Sequence, residues 1–249
     1  MLGFQLAGLA LILAVVAARW HAPPSAAQLV YGLLSGAAAA VGLAALYRAM
    51  EIGTMSIVTP IAATSAIVPV AVGFAHGERP SALQDLGVVL ALVGVVLASR
   101  EEVHEARRDT RVAAGVGFAV FAALCFGGSL VGLQAASAAG GDSAWAALML
   151  RCAGVAVAVV FVAVARTRLR GRGGELVRVS PIGLIDTLGV LAFSLASTRG
   201  LISVVSVLAS LFPVVTVALA MVFLHERISR LQAVGVTLAI AGAAMLAAG

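Results

Sequence analysis

The residues Glu78-Arg79-Pro80-Ser81-Ala82-Leu83-Gln84 return as Glu226-Arg227-Ile228-Ser229-Arg230-Leu231-Gln232, an offset of 148 residues (226 minus 78). From Glu78 to Gly94 ten of seventeen positions match, among them Gly87 with Gly235 and Gly94 with Gly242. A repeat of this length means that one structural unit is used twice. Its surroundings say what kind of unit it is, because both copies lead into continuous apolar runs. Apolar residues make up 62% of the chain and charged residues 11%. A soluble domain is roughly half apolar and a quarter charged. A membrane barrel would alternate polar with apolar residues. The chain therefore reads as an all-α polytopic membrane protein, and its Ala and 27 Gly suit helices that approach backbone to backbone.

A membrane-crossing helix needs roughly 20 mostly apolar residues. Nine such spans are expected, at 3–19, 27–49, 54–76, 82–99, 112–138, 143–165, 180–199, 201–224 and 231–248. The turns His21-Ala22-Pro23-Pro24-Ser25, Gly77-Glu78-Arg79-Pro80-Ser81 and Gly140-Gly141-Asp142-Ser143 carry turn or cap chemistry, and Ser81 and Ser229 are expected to cap the helices that follow them. Arg100–Arg111 and Arg166–Arg178 are expected as solvated linkers, the first separating the two repeats. The domains are thus 1–99, a linker 100–111, and 112–249.

The two copies stand an odd number of spans apart, so they are expected upside down relative to each other, an arrangement on which alternating access is built. Residue 1 corresponds to residue 149, inside the sixth span, so the repeats hold about 4 + 5 helices and the first helix of a 5 + 5 bundle is expected to be missing. An in-frame apolar stretch in the DNA upstream of Met1 would restore it. Twelve Arg fall on the face that holds Met1 and three on the other (Arg19, Arg79, Arg199), which by the positive-inside rule makes the Met1 face cytoplasmic.

The paired signatures His76-Gly77-Glu78-Arg79-Pro80-Ser81 and Phe212-Pro213…His225-Glu226-Arg227-Ile228-Ser229, with Leu46-Tyr47-Arg48-Ala49-Met50 and Leu124-Cys125-Phe126-Gly127-Gly128-Ser129, make the chain resemble the EamA family of the drug/metabolite transporter superfamily. The resemblance covers nearly the whole chain. It implies ten-span carriers of the inner (plasma) membrane with both termini cytoplasmic, the reverse of the Arg count. It also departs from the family's pattern in the absent opening helix of the first repeat and at Ser65, which stands where the repeat would put a counterpart of Pro213.

Charged groups at bilayer depth are costly and usually face a cavity or a partner. Arg151 and Asp186 both sit within spans, on antiparallel neighbours, about 10 Å apart along the membrane normal at ~1.5 Å per residue. Arg151 is a candidate for attracting an anionic substrate group and Asp186 for taking a coupled proton. The plainer readings are a snorkelling Arg and a helix-end Asp. Tyr31, Tyr47, Gln134 and Ser129 are further pathway candidates, whereas Trp145 reads as an interface anchor. Arg48 and Glu51 share a helix face as an interfacial ion pair. Glu78, Arg79, Glu226, Arg227 and Pro213 are structural or gating candidates. The series Gly32…Gly36…Ala40 and Gly128…Gly132 read as close-packing faces, and Pro60, Pro69 and Pro213 as kinks.

These features point to a secondary transporter, a permease or exporter, that takes a small metabolite or drug-like solute by alternating access, with proton coupling open. A membrane subunit that needs a partner chain is the alternative. Its surroundings would be the lipid bilayer and a small-molecule substrate, with no nucleic acid, and a homo-oligomer is compatible with it. No cofactor or metal is expected. Cys125 and Cys152 lie inside apolar runs, and their spacing suggests neither a zinc site nor a disulfide. All sixteen basic residues are Arg, so no phosphate-binding loop ends in Lys. The four His (His21, His76, His104, His225) sit in loops or at span ends, and no two buried carboxylates pair, which argues against an intramembrane enzyme.

Overall fold

With no water to satisfy backbone groups in hydrocarbon, long apolar runs close their hydrogen bonds internally. Every regular element among the described residues is accordingly helical. The computed structural model describes residues 2–19, 22–53, 55–99, 110–138, 142–164, 173–223 and 229–249. Its helices are α1 (Leu2–Arg19), α2 (Ala26–Ile52), α3 (Met55–Ala63), α4 (Ile67–Ala75), α5 (Ala82–Ala98), α6 (Thr110–Ser137), α7 (Ser143–Val164), α8 (Gly173–Ser197), α9 (Ile202–Ala209), α10 (Phe212–Phe223) and α11 (Arg230–Ala248), with a 3₁₀ turn at Thr64–Ala66.

By length and composition, seven segments among the described residues can cross a membrane: Ala26–Ile52, Ile57–Ala75, Gly115–Ser137, Ser143–Ala163, Ser180–Ser197, Ile202–Phe223 and Arg230–Ala248. Gln5–Arg19 and Ala82–Ala98 are apolar but shorter. The nine expected spans thus divide into seven of full length and two short ones. One boundary needs correction. The eighth helix begins at Gly173 and not near 180, because Glu175, Leu176 and Val177 continue a helix outside the apolar stretch that a span search detects. Much of the Arg166–Arg178 linker is therefore helical. The Arg100–Arg111 linker lies almost wholly outside the described residues.

Large apolar side chains point outward. Ile185 is 71% exposed and Phe223 75%, while the buried set is dominated by Ala, Gly, Ser and Val. That distribution suits lipid outside and closely approaching backbones inside.

The chain divides into two compact units, one of residues 1–41 and 128–199, the other of 42–127 and 200–249. In the first, α1 packs on α7 and α8 around Ile12, Ala144, Ala147 and Leu148, and Trp145 lies partly buried against that cluster. Asp142 caps α7, accepting from the Ala144 N–H at 2.7 Å and the Trp145 N–H at 3.2 Å. Gly32 and Gly36 bring α2 against the α7 backbone. A Cβ at Gly32 would stand 2.7 Å from Met149 Cβ, and one at Gly36 would overlap the Leu150 carbonyl. Gly132 lies against Ser35, but Gly128 faces open space. The expected Gly128…Gly132 packing face is thus half right, because a four-residue spacing does not say which side of a helix carries the neighbour.

In the second unit α5 and α11, the repeat-related helices, pack antiparallel. Gly249 at the end of α11 abuts Ser81 at the start of α5. The contacts are reciprocal: a Cβ at Gly87 would stand 2.9 Å from Gly242 O and one at Gly242 2.7 Å from Gly87 O. Likewise a Cβ at Gly94 would stand 2.7 Å from Gly235 O and one at Gly235 2.8 Å from Gly94 O. Only hydrogen fits at these four positions. Both helices open on the same capping box, Ser81 with Gln84 and Ser229 with Gln232, each serine accepting from the N–H three residues on at 3.2 Å.

Two spans are interrupted. The 3₁₀ turn at Thr64–Ala66 separates α3 from α4, and Ser210-Leu211 separates α9 from α10. Pro213 is the second residue of α10 and Pro69 the third of α4, first-turn positions where a missing N–H is tolerated. Pro60 by contrast lies inside α3. Ser65, the counterpart of Pro213, falls within the 3₁₀ turn, so the first repeat breaks at the matching place and Pro69 supplies the proline four residues later.

Candidate functional site

The polar content of the first unit gathers where α1, α7 and α8 meet. Arg151 donates from Nη1 to Gln5 Oε1 at 2.9 Å and from Nη2 to Asp186 Oδ2 at 2.5 Å. The side chain of Arg151 is 2% exposed and that of Asp186 51%. Gln5 is buried. The ion pair is therefore lopsided, with the cation sealed among helices and the acid opening outward.

Local sequence explains the arrangement. Gly8, one turn along α1 from Gln5, leaves the room that the guanidinium needs: a Cβ there would stand 3.3 Å from Arg151 Nε and 3.1 Å from Gly183 O. Thr187 turns its hydroxyl back to Gly183 O at 2.7 Å, so it does not compete for Asp186. Arg151 Nε is buried with no partner among the described residues. Asp186 is the fourteenth residue of the 25-residue α8, which removes the reading of it as a helix-end group. The long Arg151 side chain reaches Asp186 directly from α7 to α8.

The other candidates are more scattered. Ser129 is buried and meets Ser35 of α2, whose hydroxyl donates to Ser129 O at 2.7 Å. Ser137 and Ser194 join α6 to α8 through their hydroxyls, and Gln28 donates to Ala138 O at 2.8 Å. These bonds fasten helices to one another. Gln134 is half-buried; Tyr31 and Tyr47 are exposed on α2, with no bond from them to Arg151 or Asp186. Arg48 and Glu51 form the expected pair at 2.6 Å, more than half exposed on both sides and hence worth under ~1 kcal/mol.

Glu78 anchors a second cluster, in the second unit. The end of α4 has Schellman geometry: Gly77 takes φ +86°, Glu78 N–H donates to Gly73 O at 3.0 Å and Gly77 N–H to Phe74 O at 3.0 Å. This turn folds Glu78 back beside Gly73, where a Cβ would overlap the carboxylate. The carboxylate accepts from Ile202 N–H at 2.6 Å, Ser203 N–H at 3.1 Å and Ser203 Oγ at 2.7 Å. Glu78 thus caps the half-helix α9, whose N-terminal N–H groups and dipole favour an anion, and its repeat signature has a definite structural part. Arg79 is exposed. Glu226 and Arg227 lie outside the described residues. Replacing Glu78 with Ala is expected to cost about 2 kcal/mol by removing a charged acceptor from three donors, read as a lower unfolding temperature in detergent.

Gln5, Gly8, Ser35, Ser194 and Ser203 were not among the expected site residues. Gln5 had a signal, since it is the sole strongly polar side chain before Arg19 in α1. Among the described residues no group of three His, Cys, Asp or Glu could hold a metal, and Cys125 and Cys152 are free thiols.

Residues 113–248 match the family model of the EamA-like transporter family. A solved crystal structure aligns with TM-score 0.69 and 17% identity over 97% of this chain and 94% of its own, which is a likeness of fold. No curated protein matches.

Proposed function

Because the chain belongs to the EamA-like transporter family, we propose that it is a secondary carrier that moves a small metabolite or drug-like solute across the inner (plasma) membrane by alternating access. Its two repeats are residues 1–99 and 112–249, joined by 100–111, and they stand inverted in the bilayer. The observation that carries this reading is the antiparallel packing of the repeat-related helices α5 and α11 through reciprocal glycine contacts. Interruption of the two other repeat-related spans at Thr64–Ala66 and Ser210-Leu211 supports it, because broken helices expose backbone groups only where they line a cavity or protein. Gln5, Arg151 and Asp186 form the polar site in the solute pathway, and Glu78 holds α9 to the α4–α5 turn.

The test is counterflow in proteoliposomes. Vesicles preloaded with single unlabelled metabolites are diluted into traces of the same labelled compound. At least one compound is expected to accumulate transiently several-fold over empty liposomes, with loss of that signal when Asp186 is replaced by Asn. Absence of exchange across amino acids, sugars, nucleosides, organic acids and amines would overturn the carrier reading.

A further inference from the structure

The lopsidedness of the ion pair selects the charge of its ligand. We propose that Asp186 presents a binding position for positive charge, the ammonium group of a solute or a proton, while Arg151 is the buried counter-charge to which the carboxylate returns when the position empties. The proposal deepens the carrier reading and rests on it for its purpose. An incoming anion would have to reach Arg151, but that side chain is 2% exposed. Its two Nη atoms are committed to Gln5 and Asp186, and its unpartnered Nε faces the space beside Gly8. An incoming cation meets a carboxylate whose side chain is half exposed and which is bonded to Arg151 through Oδ2. The pair is a dipole with its negative end outward.

The neighbours sharpen this picture. The helices packed on α8 bring few charges. α1 offers Gln5, with Arg19 fourteen residues further along. α7 offers Arg151 and Cys152, and residues 128–137 of α6 offer no charged group. On α8 itself Glu175 and Arg178 stand eleven and eight residues before Asp186. Gln5 is then a positioning residue, which keeps the guanidinium directed at Oδ2 rather than free to follow the ligand.

Dicyclohexylcarbodiimide, an apolar reagent that forms a stable adduct on protonated carboxyls in apolar surroundings, tests this without any transport. The full chain in detergent is treated with the reagent, and the adduct on Asp186 is read by peptide mass spectrometry, alone and with n-butylammonium chloride or sodium acetate at equal ionic strength. The expected result is labelling of Asp186 that grows as the medium is acidified, that butylammonium lowers about fivefold and that acetate leaves unchanged, which assigns an ammonium site. Labelling that rises with acidity but resists butylammonium supports the same position with the proton as its ligand. Gln5→Leu is expected to change the protection factor by several-fold while Ser25→Ala does not. Protection by acetate, or no adduct on Asp186 at any pH while other carboxyls are labelled, would overturn the proposal. Because labelling needs no vesicle, a protein that labels as expected but fails in counterflow separates loss of the carrier reading from loss of this one.

Discussion

Replacing Asp186 with Ala is expected to destabilise the protein more than replacing Arg151 with Leu, although each change breaks the same ion pair. Without Asp186 the guanidinium stays buried with only Gln5 as an acceptor among the described residues, and an uncompensated buried charge costs about 3 kcal/mol or more. Without Arg151 the remaining acid is half exposed. It can hydrate, and the loss is about 1 kcal/mol, mainly from repacking beside Gly8. The double change Arg151→Leu with Asp186→Leu is expected to recover most of the stability, since an apolar replacement of a buried pair is often neutral. Counterflow should stay lost in all three variants. Unfolding followed by tryptophan fluorescence in detergent gives the order, and equal losses for the two single variants would mean that the cation is not sealed as described.

The second large effect lies in the α5–α11 joint. Gly94→Leu is expected to cost about 3 kcal/mol, the upper range for overpacking a close contact, because a side chain at Gly94 runs into the Ala239 backbone and stands 2.7 Å from Gly235 O even at its Cβ. Gly128→Ala and Gly189→Ala, whose Cβ positions are open, are expected instead to gain about 0.5 kcal/mol from helix propensity. Thermal unfolding of the three variants side by side reads both signs. A neutral Gly94→Leu would show that the joint tolerates separation of its helices.

Much of the helix order was legible because hydrocarbon length and backbone satisfaction impose the same apolar run on every span. Ser81 and Ser229 declared their capping boxes through Gln84 and Gln232 three residues on. The breaks announced themselves through Pro69 and Pro213, although the first sits four residues from the position that strict repetition would assign. The start of α8 lies beyond the apolar run because Glu175 and Arg178 interrupt that run while the helix continues. The site was legible only in part. Arg151 and Asp186 stood out as charges in apolar runs, but no local pattern says that Gln5 meets a residue 146 positions away, or that the acid faces out and the cation in. Glu78 stood out as a structural or gating candidate, but nothing beside it in the chain points to α9, 124 residues on. Such pairings are set by tertiary packing, and one sequence carries little trace of them.

The α5–α11 joint also has a temporal side. Ribosomes add roughly 5–20 residues per second, and α11 begins 132 residues after α5 ends (230 minus 98). The glycine groove of α5 therefore waits on the order of ten seconds for its match. During that interval any other helix with small side chains, from this polypeptide or another nascent one, competes for the groove, so translation speed and insertase occupancy bear on how much of the product assembles correctly.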